Sequence, residues 1–232
     1  MSKIKICGLS RIEDIIAVNA VLPDYIGFVF APSPRRIDEK AAAGLKSRLD
    51  GRIKTVGVFV NAEIGIVANL CQSGVIDLVQ LHGDEDVDYI KRLKEQCGRP
   101  VIKAVRLRPT PHSGIPADSP RPIGSPSPDG FKTRPPMSEI PDALPPLPEN
   151  ADYLLFDTLS AKRGGAGKAF DWGVLRKYSG PPYFLAGGMN TANIPQAIST
   201  LAPYAIDVSS GAESDGKKDA AKIREIVRQV RA

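Results

Sequence analysis

The chain has 232 residues, 42% of them hydrophobic and 25% charged, proportions that exclude collagenous and wholly disordered classes and leave room for one large barrel or two smaller domains. Its net charge of +5 comes from Lys and Arg scattered through helices and loops. No basic stripe with interleaved aromatics forms, so nucleic acid is not an expected partner, and an anionic small substrate explains the sign equally well. Tyr25–Ala31 is much too short to span a bilayer and the start Met-Ser-Lys-Ile-Lys has no secretory apolar core, so no membrane association and a cytoplasmic location are expected.

In chain order, the first strand covers Ile4–Ile6 and delivers Cys7 at its end. A capping box from Ser10 to Glu13 opens a helix that turns Ile12, Ile15, Ile16 and Ala20 inward. Strands follow at Tyr25–Phe30 and Thr55–Val60, then a helix capped by Asn61 with Ile64, Val67, Leu70 and Cys71 on one face. Leu78–Leu81 is the fourth strand; Val87, Ile90, Leu93 and Cys97 recur at helical spacing; Val101–Val105 is the fifth strand. The later strands are Tyr153–Phe156, Tyr183–Ala186 and Ala205–Val208. Helices follow the last two, through Thr191, Ile194, Ala197, Ile198 and Leu201 and through Ala220, Ile223, Val227 and Val230.

Near-continuous apolar strands alternating with amphipathic helices imply a parallel sheet buried on both faces. Eight strands favour a closed (β/α)₈ TIM barrel, an α/β fold in a single domain spanning 1–232, over an open doubly wound sheet. Either way the chemistry sits at the carboxyl ends of the strands. The rhythm breaks at 106–150, where Pro109, Pro111, Pro116, Pro120, Pro122, Pro126, Pro128, Pro135 and Pro136 crowd a segment rich in Ser and Gly. Proline at this density cannot continue a helix, so the fifth helix is expected to be replaced or degraded by this insertion.

The strand ends carry the residues that could do chemistry. Cys7 ends strand one; Cys7, Cys71 and Cys97 suit neither a disulfide framework nor a zinc site, and Cys71 and Cys97 read as core. Gly187 and Gly188 end strand seven, and Ser209, Ser210 and Gly211 follow strand eight. Barrels often hold a phosphate between those two loops, where backbone N–H groups come close to its oxygens. Gly164–Lys168 lacks the Walker spacing and reads as a flexible loop. Asp157, after Leu154-Leu155-Phe156, reads as an acid or as a carboxylate that pairs with Lys162 or Arg163. Arg36 could grip a carboxylate, His82 could contact substrate or close a turn, Trp172 is core, and His112 has no role.

Together these pieces resemble the phosphoribosylanthranilate isomerase family. The matching segments are Lys5-Ile6-Cys7-Gly8, Gly27–Phe30 with Ser33–Arg36, and Val79–Gly83. They continue with Leu155–Thr158, Gly164–Gly167 with Phe170–Trp172, Leu185–Asn190, Asp207–Glu213 and Gly216–Asp219, in the family's order over nearly the whole chain. The resemblance implies an Amadori rearrangement with Asp157 as general acid and Cys7 as general base. Arg36 would hold the anthranilate carboxylate, with Asp207 near the anthranilate amine and His82 in the pocket. Gly187, Gly188, Ser209, Ser210 and Gly211 would cradle the phosphate. It implies no metal or organic cofactor, a phosphosugar substrate, and a monomer or homodimer. Acid chemistry requires that its environment, or the bound substrate, keep Asp157 protonated, whereas a modest positive field suffices for Cys7. The Pro-rich segment departs from the family. Rival readings are the histidine-pathway Amadori enzyme, which has a carboxylate where Cys7 stands, and a non-catalytic binder of phosphate ligands.

Overall fold

The computed structural model describes residues 1–107, 144–145, 147–158 and 172–232. Strands β1 (Lys3–Cys7), β2 (Tyr25–Val29), β3 (Lys54–Phe59), β4 (Leu78–Leu81), β5 (Val101–Leu107), β6 (Tyr153–Thr158), β7 (Tyr183–Leu185) and β8 (Ala205–Val208) close a barrel in sequence order. Every neighbouring pair is parallel, and β8 meets β1 with Lys5 opposite Asp207. The helices are α1 (Ile12–Asn19), α2 (Glu39–Lys46), α3 (Ile64–Gln72), α4 (Val87–Cys97), α5 (Ile194–Leu201) and α6 (Ala220–Arg231). Among the described residues none is long and apolar enough to cross a membrane. The described residues between β5 and β6 contain no helix, and the bulk of the Pro-rich segment, His112 included, lies outside them, as do Lys162, Arg163, Gly164–Lys168, Phe170 and Asp171.

Strand alternation divides the side chains into two layers. Ile4, Ile6, Ile26, Phe28, Val79, Leu81, Leu154, Phe156, Leu185, Ile206 and Val208 face the helices in the main core. Tyr25, Val56, Leu78, Ile102, Leu155, Phe184 and Ala205 fill the lower barrel, and Cys7, Val29 and Val58 pack together above them. These side chains plug the lower barrel beneath the cavity at its C-terminal mouth.

Three local expectations are corrected, and one helix, α2, is added. α1 begins at Ile12 behind an Arg11 cap, and Asp14, not Glu13, takes the backbone N–H groups of Ser10 and Arg11. That start turns Ile15 and Val18 inward and leaves Ile16 63% exposed. Asn61 does not cap α3; it adopts φ 49°, its side chain accepts from the Asp84 N–H, and the cap is Glu63. Val87 is exposed and Cys97 half-buried, while Ile90, Leu93 and Cys71 are fully buried. α2 carries little apolar signal, with Ala42 and Leu45 as its buried residues, and is set by the Asp38 side chain accepting from the Ala41 N–H.

Candidate active site

A cavity of about 260 Å³ opens at the carboxyl ends of the strands. Its wall brings together Cys7 from β1, His82 after β4, Asp157 from β6, Asp207 from β8, Gly187 and Gly188 after β7, and Ser209 and Ser210 after β8. Two of the expected residues are not on this wall. Arg36 is exposed at the rim, where it bridges to Val29, and its neighbour Arg35 lines the cavity instead. Gly211 lies just behind the wall, where a Cβ would come within 2.0 Å of the Met189 carbonyl oxygen.

Cys7 reaches the cavity because it ends an inward-facing run on β1. Gly27, its partner in register on β2, makes room for the sulfur: a Cβ there would stand 2.6 Å from Sγ. Burial pushes the Cys7 thiol up, the Lys5 ammonium pulls it back, the Asp207 carboxylate pushes it up again, and the net direction is upward. The structure thus supplies the positive field, but burial outweighs it.

Lys5, two residues earlier on the same face, is wholly buried, and its Nζ donates to both oxygens of Asp207 at 2.9 and 3.0 Å. On the opposite wall His82 Nε2 stands 3.3 Å from Asp157 Oδ2. The Gln80 amide nitrogen lies 3.1 Å from Nδ1 of the same ring. With that amide donating, the ring proton sits on Nε2 and points at Asp157; with the amide turned over, Nε2 becomes an acceptor. Arg106 fixes the ring's backbone by donating to the His82 carbonyl oxygen, and it is the partner of Asp157 in the β5–β6 register.

The loops after β7 and β8 are tightly held. Gly187 and Gly188 take φ of 81° and 73°, a left-handed conformation that side chains resist. The Asn190 and Asn193 amides both donate to the Gly188 carbonyl oxygen. The Ser209 hydroxyl donates to the carbonyl oxygen of Cys7, which ties the eighth loop to the thiol's own backbone. Beneath it, buried Lys218 donates to the Ser209 carbonyl oxygen and to Glu213, and Arg35 grips Glu213 through two bonds of 2.6 Å. Burial lowers Lys218, and its partners only partly restore it; Arg35 and Lys218 hold Glu213 below the usual carboxylate range against its own burial.

Lys5, Gln80, Arg35, Glu213 and Lys218 stand within the family-like segments, but the sequence assigns none of them a role of its own. Alternation along β1 and β4 could have found Lys5 and Gln80, which share faces with Cys7 and His82; only packing reveals the other three.

A TIM barrel whose mouth gathers a thiol, a carboxyl group and glycine- and serine-bearing loops has its candidate site on the face where enzymes of this fold carry theirs. The chain matches the family described as N-(5'phosphoribosyl)anthranilate (PRA) isomerase over residues 4–110 and 146–229, and it belongs to that family. It is 44% identical over 233 residues to the N-(5'-phosphoribosyl)anthranilate isomerase of Endomicrobium trichonymphae, with 100% of each chain covered. The crystal structure of phosphoribosyl anthranilate isomerase from Thermotoga maritima superposes with a TM-score of 0.74 at 27% identity, covering 100% of this chain and 99% of that one. A further crystal structure, of phosphoribosyl anthranilate isomerase in complex with reduced 1-(o-carboxyphenylamino)-1-deoxyribulose 5-phosphate, gives a TM-score of 0.72 at 26% identity, covering 100% and 99%.

Proposed function

We propose that this chain catalyses the Amadori rearrangement of N-(5'-phosphoribosyl)anthranilate to 1-(2-carboxyphenylamino)-1-deoxyribulose 5-phosphate, an isomerisation of tryptophan biosynthesis, by general acid–base catalysis at the barrel mouth. The observation that carries the reading is that Cys7 and Asp157 share one cavity with the loops after β7 and β8. Asp157 gives a proton to the ribose ring oxygen, the C1–O bond breaks, and the ring opens to an iminium. Loss of that proton leaves a carboxylate that the Nε2–H of His82 can meet. The Cys7 thiolate then removes the C2 proton; the C–H electron pair forms the C1–C2 double bond, and the iminium nitrogen takes up the displaced pair. The resulting enolamine tautomerises to the ketone. The substrate's own nitrogen is the electron sink, so the scheme requires no cofactor.

Gly187, Gly188, Ser209, Ser210 and Gly211 would hold the phosphate, which fixes the sugar between acid and base. Arg36 would take the anthranilate carboxylate: Arg35 is already committed to Glu213, whereas the exposed Arg36 guanidinium has no side-chain partner among the described residues. Asp207 would face the anthranilate amine from beside Lys5. The proposed setting is the cytoplasm and a single domain over 1–232. A second copy of the chain is the one protein partner considered, since a Thermotoga maritima relative is described as dimeric. The test is the loss of phosphoribosylanthranilate fluorescence with purified protein, alongside the aminoimidazole-carboxamide substrate of the histidine-pathway enzyme. Turnover of the second substrate alone, or binding without turnover, rejects the reading.

A further inference from the structure

We propose that Lys5 is the positioning residue that makes the Cys7 sulfur usable as a base: its buried ammonium, anchored on Asp207, is the counter-charge that receives the thiolate. This rests on the reading of Cys7 as the base and adds a residue to it. Lys5 never contacts the substrate in this scheme; it acts through the sulfur.

Three observations carry it. Lys5 is 0% exposed although it lies in the barrel interior, a position where a lysine is costly unless its charge is used or paired. Two-residue alternation places it directly beneath Cys7 on the inward face of β1, and register places it opposite Asp207. Its Nζ is then fixed by both Asp207 oxygens at 2.9 and 3.0 Å, and from there its charge favours the thiolate of Cys7. A pair retained for stability alone could be replaced by two apolar side chains, yet this one lies under the single inward thiol.

The charges around the sulfur point the same way. Lys5 on β1, Lys218 in the short hairpin after β8 and Arg35 after β2 supply the cations; Asp207 on β8 and Glu213, which binds both Arg35 and Lys218, supply the anions. The other titratable groups on the cavity wall, His82 and Asp157, pair with each other on the far side; among the five charges named here the cations exceed the carboxylates by one, and a thiolate restores neutrality. When the sulfur takes the C2 proton, the C–H electron pair stays on the substrate, the sulfur loses its charge, and Lys5 keeps all its protons. The sulfur later returns its proton to solvent.

Lys5→Met, the double variant Lys5→Met/Asp207→Asn, which leaves no lone buried charge, and Asp207→Asn alone separate this role from a structural one. The pH dependence of iodoacetamide labelling of Cys7, read on its own peptide by mass spectrometry, gives the ionisation of the sulfur without substrate. In the folded double variant and in Lys5→Met the labelling midpoint is expected to rise by about one pH unit or more. In Lys5→Met the kcat near neutrality is expected to fall about 10-fold or more, with partial recovery at higher pH and little change in KM. Asp207→Asn alone is expected to move the midpoint the other way, since it removes an anion and leaves the cation; loss of packing cannot give opposite signs. An unchanged midpoint in the folded double variant overturns the proposal. A raised midpoint with unchanged kcat shows that the sulfur is not the base, and then both readings fall.

Discussion

Asp157 and His82 meet across the mouth of the barrel, carboxyl oxygen to imidazole nitrogen at 3.3 Å, although they come from strands β6 and β4, with β5 between them. The contact gives the proposed acid a neighbour that can donate to it after its proton has left. Asp157→Asn is therefore expected to lower kcat by about 10²–10⁴-fold with KM little changed. His82→Asn should give a smaller loss of kcat, and steady-state kinetics on the two variants and their combination should show non-additive effects. Equal and additive losses would separate the two residues.

The thiol of Cys7 is raised above its ordinary value, chiefly by burial. A base that works only as a thiolate gains activity as it ionises, so kcat/KM of the free enzyme should climb with pH. It should level off only above the ordinary thiol value of about 8.5. Cys7→Ala should lose turnover at every pH and keep substrate affinity. A plateau reached below neutrality in the pH profile would contradict this assignment.

Gly27 leaves the space that the sulfur fills. In Gly27→Ala the new methyl group would lie 2.6 Å from Sγ and 3.2 Å from the Cα of Cys7, so one of the two strands must give. Overpacking of this kind costs about 1–3 kcal/mol, readable in a urea melt. Displacing a catalytic atom by about an ångström can cost about 10²-fold in rate, so kcat should fall further than stability alone explains.

The two adjacent arginines should separate cleanly. Arg36→Ala is expected to raise KM by about 10–100-fold, the loss of a charge-assisted contact to a carboxylate, and to leave the melting curve unchanged. Arg35→Ala should lower stability by leaving the mostly buried Glu213 carboxylate with Lys218 alone. The reverse pattern would make Arg35 the substrate's arginine.

Lys103 on β5 faces the helical layer, where its Nζ donates to the Gly83 carbonyl oxygen and to Glu85, both at 2.7 Å. Glu85 also accepts the backbone N–H groups of Gly83 and Asn61, which locks the loop that carries His82. Lys103→Met strands a buried carboxylate and should cost about 3–5 kcal/mol in chemical denaturation, whereas Lys103→Met with Glu85→Gln should recover part of it.

Much of the site was legible because strand ends announce themselves. Cys7, His82, Asp157, Asp207, Gly187, Gly188, Ser209 and Ser210 all follow apolar runs, and parallel strands in a barrel deliver such residues to one face. Arg36 and Arg35 were not separable in that way. Both stand in one loop beyond a strand, where no alternation sets direction; the pairing of Arg35 with Glu213, 178 positions away, decides which one turns inward. α2 was invisible because its helix rests on an Asp38 cap and two buried side chains, too few for a periodic pattern. α1 was found but misphased, since a shift of its first turn rotates every later side chain.

What the linear chain determines is periodicity: which segments are strands, which face of each is apolar, and which polar residues stand at their ends, because these follow from neighbours two to four positions apart. Closure of β8 onto β1 decides the rest. It sets Asp207 against Lys5 beneath Cys7 and Arg35 against Glu213, and these pairings, burying charges 202 and 178 residues apart in the sequence, exist only once the barrel has closed.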